Sequence, residues 1–186
     1  MENTEGWKKM IYIALLRGIN VGRNKRIKMA DLKKLFESLG LEKVKTYIQS
    51  GNVLFESEEE AEVLGHKIET GIKKEFGFSV TVVLRTASEL EQIIKNCPFQ
   101  SDSLPEGESV QVAFLEGAPT EEGINYLQNY DRKPDEYQII GNDVYLYFHQ
   151  SILDSKLAKQ LPKLGVQATV RNWKTVIKLS SLVKEI

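Results

Sequence analysis

The sequence predicts an α+β fold made of two tandem βαββαβ repeats, each followed by a trailing helix and each forming an antiparallel sheet. Three observations predict it. Strand-like and helix-like segments run through the same order twice, and the second set matches the first at offsets that drift only from 99 to 86 residues. The punctuation also recurs, with a Gly-Asn pair inside each hairpin and a glycine after each second helix. The βαββαβ order is that of the ferredoxin-like plait, so tandem ferredoxin-like α/β plaits are expected. Residues 1–99 would form the first plait, 100–108 (QSDSLPEGE) a polar linker and 109–186 the second plait.

Met10 to Leu16 (MIYIALL) is rich in β-branched and aromatic residues and predicts a buried strand. Leu32, Leu35, Phe36 and Leu39 fall at helical spacing within Met29 to Leu39, and Gly40 stands as the stop. Val44 to Gln49 and Val53 to Glu56 predict a hairpin through Ser50, Gly51 and Asn52, residue types that favour positive φ. Ser57 and Glu60 have the spacing of a capping box before a helix carrying Leu64, Ile68, Ile72 and Phe76, which Gly77 ends. Ser79 to Arg85 predicts a strand. Thr86 and Glu89 predict a second capping box before the helix with Leu90, Ile93, Ile94 and Cys97, stopped by Pro98.

In the second half, Ala113 to Gly117 echoes Ala14 to Gly18, and Thr120 is placed to cap a helix reaching about Tyr130. Tyr137 to Phe148 predicts a hairpin whose Gly141 and Asn142 match Gly51 and Asn52. A helix around Lys156 to Leu164 ends at Gly165, Ala168 to Val170 resembles Val80 to Val82, and Arg171 opens the last helix as Arg85 did. Ile11, Ile13 and Leu15 alternate with Tyr12, Ala14 and Leu16, so both faces of the first strand are apolar. The open sheet faces are therefore expected to be covered, by packing of the two halves on each other or in a homodimer.

The 186 residues are 41% hydrophobic and 27% charged, within the range of folded globular proteins. The longest apolar run, Met10 to Leu16, is far short of the ~20 residues that span a bilayer, and Arg17 follows it instead of a cleavage site. No membrane association or secretory signal is expected. Cys97 is the sole cysteine and His66 and His149 the only histidines, so neither an internal disulfide nor a metal cluster is expected, and no cofactor. A reducing cytoplasm is the expected compartment. The net charge of −1 conceals segregation: residues 7–45 carry +8, residues 89–143 carry −9 and residues 155–186 carry +6.

The basic character concentrates in Arg17 to Lys28 (RGINVGRNKRIK), which holds five cations and no acid between a strand and a helix start. Backbone amides near Gly18 and Gly22 can approach an anion there, the helix end adds partial positive charge, and Arg17, Arg23, Lys25 or Arg26 can neutralise it. The plainer alternative is a basic loop without a ligand. Neither a Walker spacing nor a dinucleotide fingerprint is present. Asn20 belongs to the same candidate site. Gln49 and Asn52 read as turn residues or as polar groups beside it. Arg171, Asn172 and Lys174 read either as a helix start, with Asn172 as cap and Trp173 as core anchor, or as part of one anion pocket that the cations Arg171 and Lys174 complete together with the first loop, with Trp173 as a stacking surface. Ser155 and Lys156 are adjacent on a helix and would point apart, a poor nucleophile and base.

Tyr12 to Gly22 (YIALLRGINVG), Met29 to Leu32 (MADL), Thr46 to Val53 (TYIQSGNV) and Arg171 to Val176 (RNWKTV) closely resemble the bacterial proteins grouped as domain-of-unknown-function family 1697. The resemblance spans nearly the whole chain. It implies a tandem α/β plait and carries no established activity. The resemblance also implies a glycine where this chain has Arg23, and a glycine-containing turn where it has Ile152, Leu153 and Asp154 ahead of Ser155 and Lys156. The leading expectation is binding of a phosphate-containing small molecule, nucleotide or nucleic acid. A small enzyme with a pocket between the sheets, and a structural or regulatory interaction protein, are the alternatives.

Overall fold

The computed structural model describes residues 8–186. Strand β1 (Met10–Leu16) is followed by helix α1 (Met29–Ser38), the hairpin of β2 (Glu42–Tyr47) and β3 (Asn52–Ser57), helix α2 (Ala61–Phe76), strand β4 (Val82–Thr86) and helix α3 (Ala87–Lys95). The order recurs in β5 (Ser109–Leu115), α4 (Glu121–Asn129), β6 (Glu136–Ile140), β7 (Asp143–Phe148), α5 (Lys156–Gln160), β8 (Ala168–Asn172) and α6 (Trp173–Val183). The strands form two antiparallel four-stranded sheets, ordered β2-β3-β1-β4 and β6-β7-β5-β8. This is the tandem ferredoxin-like α+β fold that the repeat predicts. The chain divides into two compact units, residues up to Glu89 with Ser181–Ile186, and Leu90–Ser180.

In the first unit, Tyr12, Ala14 and Leu16 of β1 face Leu32 and Phe36 of α1 and Leu64, Ile68 and Ile72 of α2 in one core. Tyr12 and Phe36 both pack their rings on Phe55, each with centroids 5.6 Å apart. Ile13, Leu15 and Leu54, pointing the other way, are also buried, as their uninterrupted apolar run requires. In the second unit, Ala113, Leu115, Val144, Leu146 and Phe148 form the core with Leu127 of α4 and Leu157 of α5. On the other face of that sheet the Tyr145 hydroxyl donates to the Ile93 carbonyl at 2.6 Å, and burial raises its pKa.

Register fixes which residues of the repeats correspond, and it corrects three expectations. Ala14 pairs with Val53 as Ala113 pairs with Val144, so Gly51 corresponds to Asn142 and Asn52 to Asp143, one residue on from the expected Gly-Asn match. The cause is turn length: four residues separate β2 from β3, and only Gly141 and Asn142 separate β6 from β7. Leu16 pairs with Val82 as Leu115 pairs with Ala168, so Ala168 corresponds to Val82 and not to Val80. Arg171 consequently lies inside β8 rather than opening the last helix. The Ser57-Glu60 capping box does not form, because Ser57 is still paired with Met10 in the sheet and α2 starts at Ala61. The Ser57 hydroxyl instead accepts from the Glu59 amide.

Other local signals act as their chemistry dictates. The Thr86 amide donates to Glu89 at 2.8 Å and the Glu89 amide to the Thr86 hydroxyl at 3.1 Å, a reciprocal capping box. The Thr120 hydroxyl accepts from Gly123. Gly77 and Gly165 both adopt left-handed φ at helix ends. The segment Lys156 to Leu164 divides, with Leu161–Leu164 a 3-10 turn containing Pro162, which has no N–H to continue an α-helix.

Candidate functional site

The connection from β1 to α1 is held rigidly at its base. The Leu16 amide donates to Gly51 and the Arg17 amide to Thr81, extending the ladder on both sides before the chain leaves the sheet. Ile19 and Ile27 then return to the core, at 2% and 3% exposure, and pin the segment at two points. Asn20, in left-handed φ, joins them: its Oδ1 accepts from the Ile27 amide while its Nδ2 donates to the carbonyls of Ile27 and Gln49, all at 2.9 Å. The side chain thereby replaces a strand partner. Gly51 belongs to the same joint, because at φ +87° a Cβ there would lie 2.6 Å from Cδ1 of Ile19.

Between the anchors the chain closes on itself through a bridge of Val21 with Asn24, with Gly22 at φ +63° and Arg23 at the tip. Arg23 itself avoids positive φ, so the place where the family resemblance implies glycine needs none in this backbone. Lys25 crosses to the Ser79 carbonyl at 3.0 Å. Arg17, Gly18, Gly22, Arg23, Lys25, Arg26 and Lys28 are all exposed. Among the described residues Arg23, Lys25, Arg26 and Lys28 form no ion pair. Lys28 occupies the cap position of α1, where no side chain accepts a bond from the first turn. Cations and uncapped amides thus share one rim, which suits an anion.

Behind the rim a cleft of about 450 Å³ opens, lined by Asn20, Arg26, Ile27, Lys28, Met29, Asp31, Gln49 and Phe76. Gln49 is exposed at its mouth. Asn52 is completely buried and its amide donates to the Tyr47 carbonyl and the Ser50 hydroxyl, so it braces the hairpin turn.

Arg171, Asn172 and Lys174 lie in the second unit. Arg171 sits opposite Val112 in β8, only 8% exposed, and donates to the Val170 carbonyl at 3.1 Å; burial lowers its pKa to about 10. Arg85, opposite Ile13, makes the corresponding bond to Leu84 at 2.9 Å. The Asn172 Oδ1 accepts from the Thr175 amide at 2.9 Å, capping α6, and Lys174 is exposed on its first turn.

A polar cluster in the second unit escapes sequence reasoning. Asp135, 3% exposed, accepts from the His149 amide, from Gln150 and from the fully buried Ser155 hydroxyl at 2.6 Å. Ser155 in turn accepts from the Ala158 amide as the cap of α5. Its hydroxyl is a structural link, while Lys156 points to Asp131 at 3.9 Å. Ser151 caps a 3-10 turn of Ile152–Asp154 at the position of the implied glycine turn. The His149 ring lies between Glu136 at 2.8 Å and Glu108 at 3.0 Å, and these bonds, Glu136 first, raise its pKa. Glu108 also accepts from the Tyr147 hydroxyl, and that bond more than the histidine lowers its pKa. The signal for His149 with Glu108 was the pairing of Ser109 with Phe148, which requires strand register. Among the described residues no group of three His, Cys, Asp or Glu side chains is arranged to hold a metal ion, and no helix is long and apolar enough to cross a membrane.

The conserved bacterial protein SP0830 from Streptococcus pneumoniae has a similar solved structure, with a TM-score of 0.81 and 27% identity, covering 95% of this chain and 99% of that one. An unknown protein from Galdieria sulphuraria aligns at 11% identity over 89% of this chain and 99% of that one, with a TM-score of 0.28. No curated protein matches. Residues 10–145 match the family described as "Protein of unknown function (DUF1697)", and the chain belongs to that family.

Proposed function

We propose that this protein binds an anionic, phosphate-bearing ligand, a nucleotide or nucleic acid being the leading class, through the β1–α1 connection. One observation carries the reading: the two repeats make the same connection with different amounts of chain. Twelve residues join β1 to α1, whereas five, Glu116 to Thr120, join β5 to α4. The plait closes with the short version, so the additional residues are not required by topology. The longer connection as a whole carries five cations, four of them without an ion pair among the described residues. Arg17 and Glu116 make corresponding backbone bonds, to Thr81 and Gln167, so the charge at that place is inverted between repeats. We place this activity in the cytoplasm.

Fluorescence anisotropy with labelled single-stranded and duplex oligonucleotides, at about 50 and 200 mM salt, tests the reading. Thermal shift with phosphorylated metabolites covers small ligands. Contact with about four or five phosphates gives a log-log salt slope of about −3 to −4.5. Arg23→Ala with Arg26→Ala is expected to abolish binding and leave the melting temperature unchanged. Absence of any phosphate-dependent binding in either assay overturns it.

A further inference from the structure

Resting on the anion-binding reading of the same loop, we infer that the cleft behind the rim receives a nucleobase, so that the ligand is a nucleotide unit with its phosphate on Arg26 and Lys28. The second repeat shows why this space is unusual. There Thr120, the residue before α4, bonds the Leu164 carbonyl through its amide at 2.9 Å and its hydroxyl at 3.2 Å. Gly123 lies so close that a Cβ would stand 2.5 Å from the Lys163 carbonyl oxygen. The helix start is sealed onto the preceding chain.

In the first repeat the corresponding residues are Lys28 before α1, Asp31 in place of Gly123, and Phe76, which precedes Gly77 as Leu164 precedes Gly165. All three line the cleft of about 450 Å³. That volume falls in the range of about 300–1,000 Å³ that small-molecule sites occupy.

Its lining is divided by chemistry. Met29 and Phe76, both partly buried against the core, supply an apolar wall, and Phe76 is backed by Phe78 at 6.4 Å between ring centroids. A flat heterocycle gains from such a surface. Arg26 and Lys28 stand at the loop side to take the phosphate. Asp31 offers a carboxylate to an exocyclic amino group, and Gln49 an amide donor, its Oε1 accepting from Asn20 Nδ2 at 3.5 Å. Asn20, whose amide is engaged by backbone, fixes the wall and reads nothing. Inorganic phosphate would use the cations alone, so the apolar wall and Asp31 distinguish a nucleotide from a bare anion.

The test compares adenosine, cytidine and uridine 5′-monophosphates with ribose 5-phosphate by calorimetry, and a labelled hexanucleotide with an abasic hexamer by anisotropy. Base-bearing probes are expected to bind about tenfold or more tighter than their base-less counterparts. Phe76→Leu is expected to remove that margin without weakening ribose 5-phosphate. Asp31→Asn, on an exposed first turn, is expected to narrow the preference for adenine and cytosine over uracil and guards against misfolding of the first variant. A hexamer much tighter than the mononucleotide identifies a strand as the source, and equal affinity a free nucleotide; both support the inference. Equal binding of nucleotide and ribose 5-phosphate, both lost in Arg26→Ala, overturns the base site while leaving the anion site standing. Base-dependent binding unchanged by Phe76→Leu and Asp31→Asn also overturns it. No binding of any probe overturns both readings.

Discussion

The two strand-to-helix connections occupy one position in one fold and are built oppositely. In the second repeat the chain turns within Glu116 to Thr120, Thr120 caps α4, and Gly123 lets the helix rest on the Lys163–Leu164 backbone. In the first, Ile19 and Ile27 dip into the core, Asn20 bridges them, and the residues between stand out as an exposed basic rim over an open cleft. The difference teaches that the plait specifies the ends of this connection and leaves its content free. Content that the fold does not require, held in place by buried anchors, is where function is to be sought.

The largest test of that comparison is an exchange, replacing Arg17–Lys28 with the sequence of Glu116–Thr120. Oligonucleotide or nucleotide binding should disappear. Unfolding in urea should show a loss of about 3–6 kcal/mol, the burial of two isoleucines at about 1.5–3 kcal/mol each. Binding that survives the exchange breaks the comparison. Next comes Asn20→Ala, which removes three bonds to backbone at a positive-φ position. It should cost about 2–3 kcal/mol and raise amide exchange in the loop while the second repeat stays protected.

A matched pair of alanines sharpens the packing difference. Gly123→Ala places a Cβ against backbone that cannot yield, and should destabilise by about 1–3 kcal/mol in chemical denaturation. Asp31→Ala, at the corresponding place beside the open cleft, should change stability by less than about 1 kcal/mol. Equal costs would mean that the cleft is not the open counterpart of the sealed contact.

The smallest effect concerns the opposite rim of the sheets. By register Lys9 stands where Glu108 does, and it pairs with Glu42, while Glu108 pairs with His149. The second repeat's rim therefore holds a histidine between two carboxylates where the first holds a lysine–glutamate pair. The folded pKa of His149 is raised above its ordinary value of 6.5, so protonation is favoured by folding. Its contribution is fully present below about pH 6.5 and is lost as pH rises through the higher folded value. The melting temperature should fall slightly over that interval, and His149→Gln should flatten the profile. A fall of the same size in the variant assigns the pH dependence elsewhere.

Much of the fold was legible because its signals are local. Alternating apolar residues, Thr86 with Glu89, Thr120, Gly77 and Gly165 act within one turn of their own position, and each is found in the predicted role. Ser57 with Glu60 shows the limit, since sheet pairing to Met10 overrode an equally good local motif. The one-residue error in matching the hairpins has the same origin, a turn length that pairing reveals and composition does not. Of the candidate site, the basic loop was legible from charge alone. The role of Asn20 as a brace was not, nor was Phe76, which lies 48 residues from Lys28 in sequence and enters the cleft through tertiary packing.

The sequence by itself determined the element order, the repeat, the caps at Thr86 and Thr120 and the concentration of cations in one connection, because each follows from residue types over a few positions. Only the tertiary structure decided the strand register, the burial of Asp135 with Ser155, the pairing of His149 with two glutamates, and the open cleft beside a sealed counterpart. These depend on which distant backbone segments lie together, and such pairings are set by the packing of the whole core.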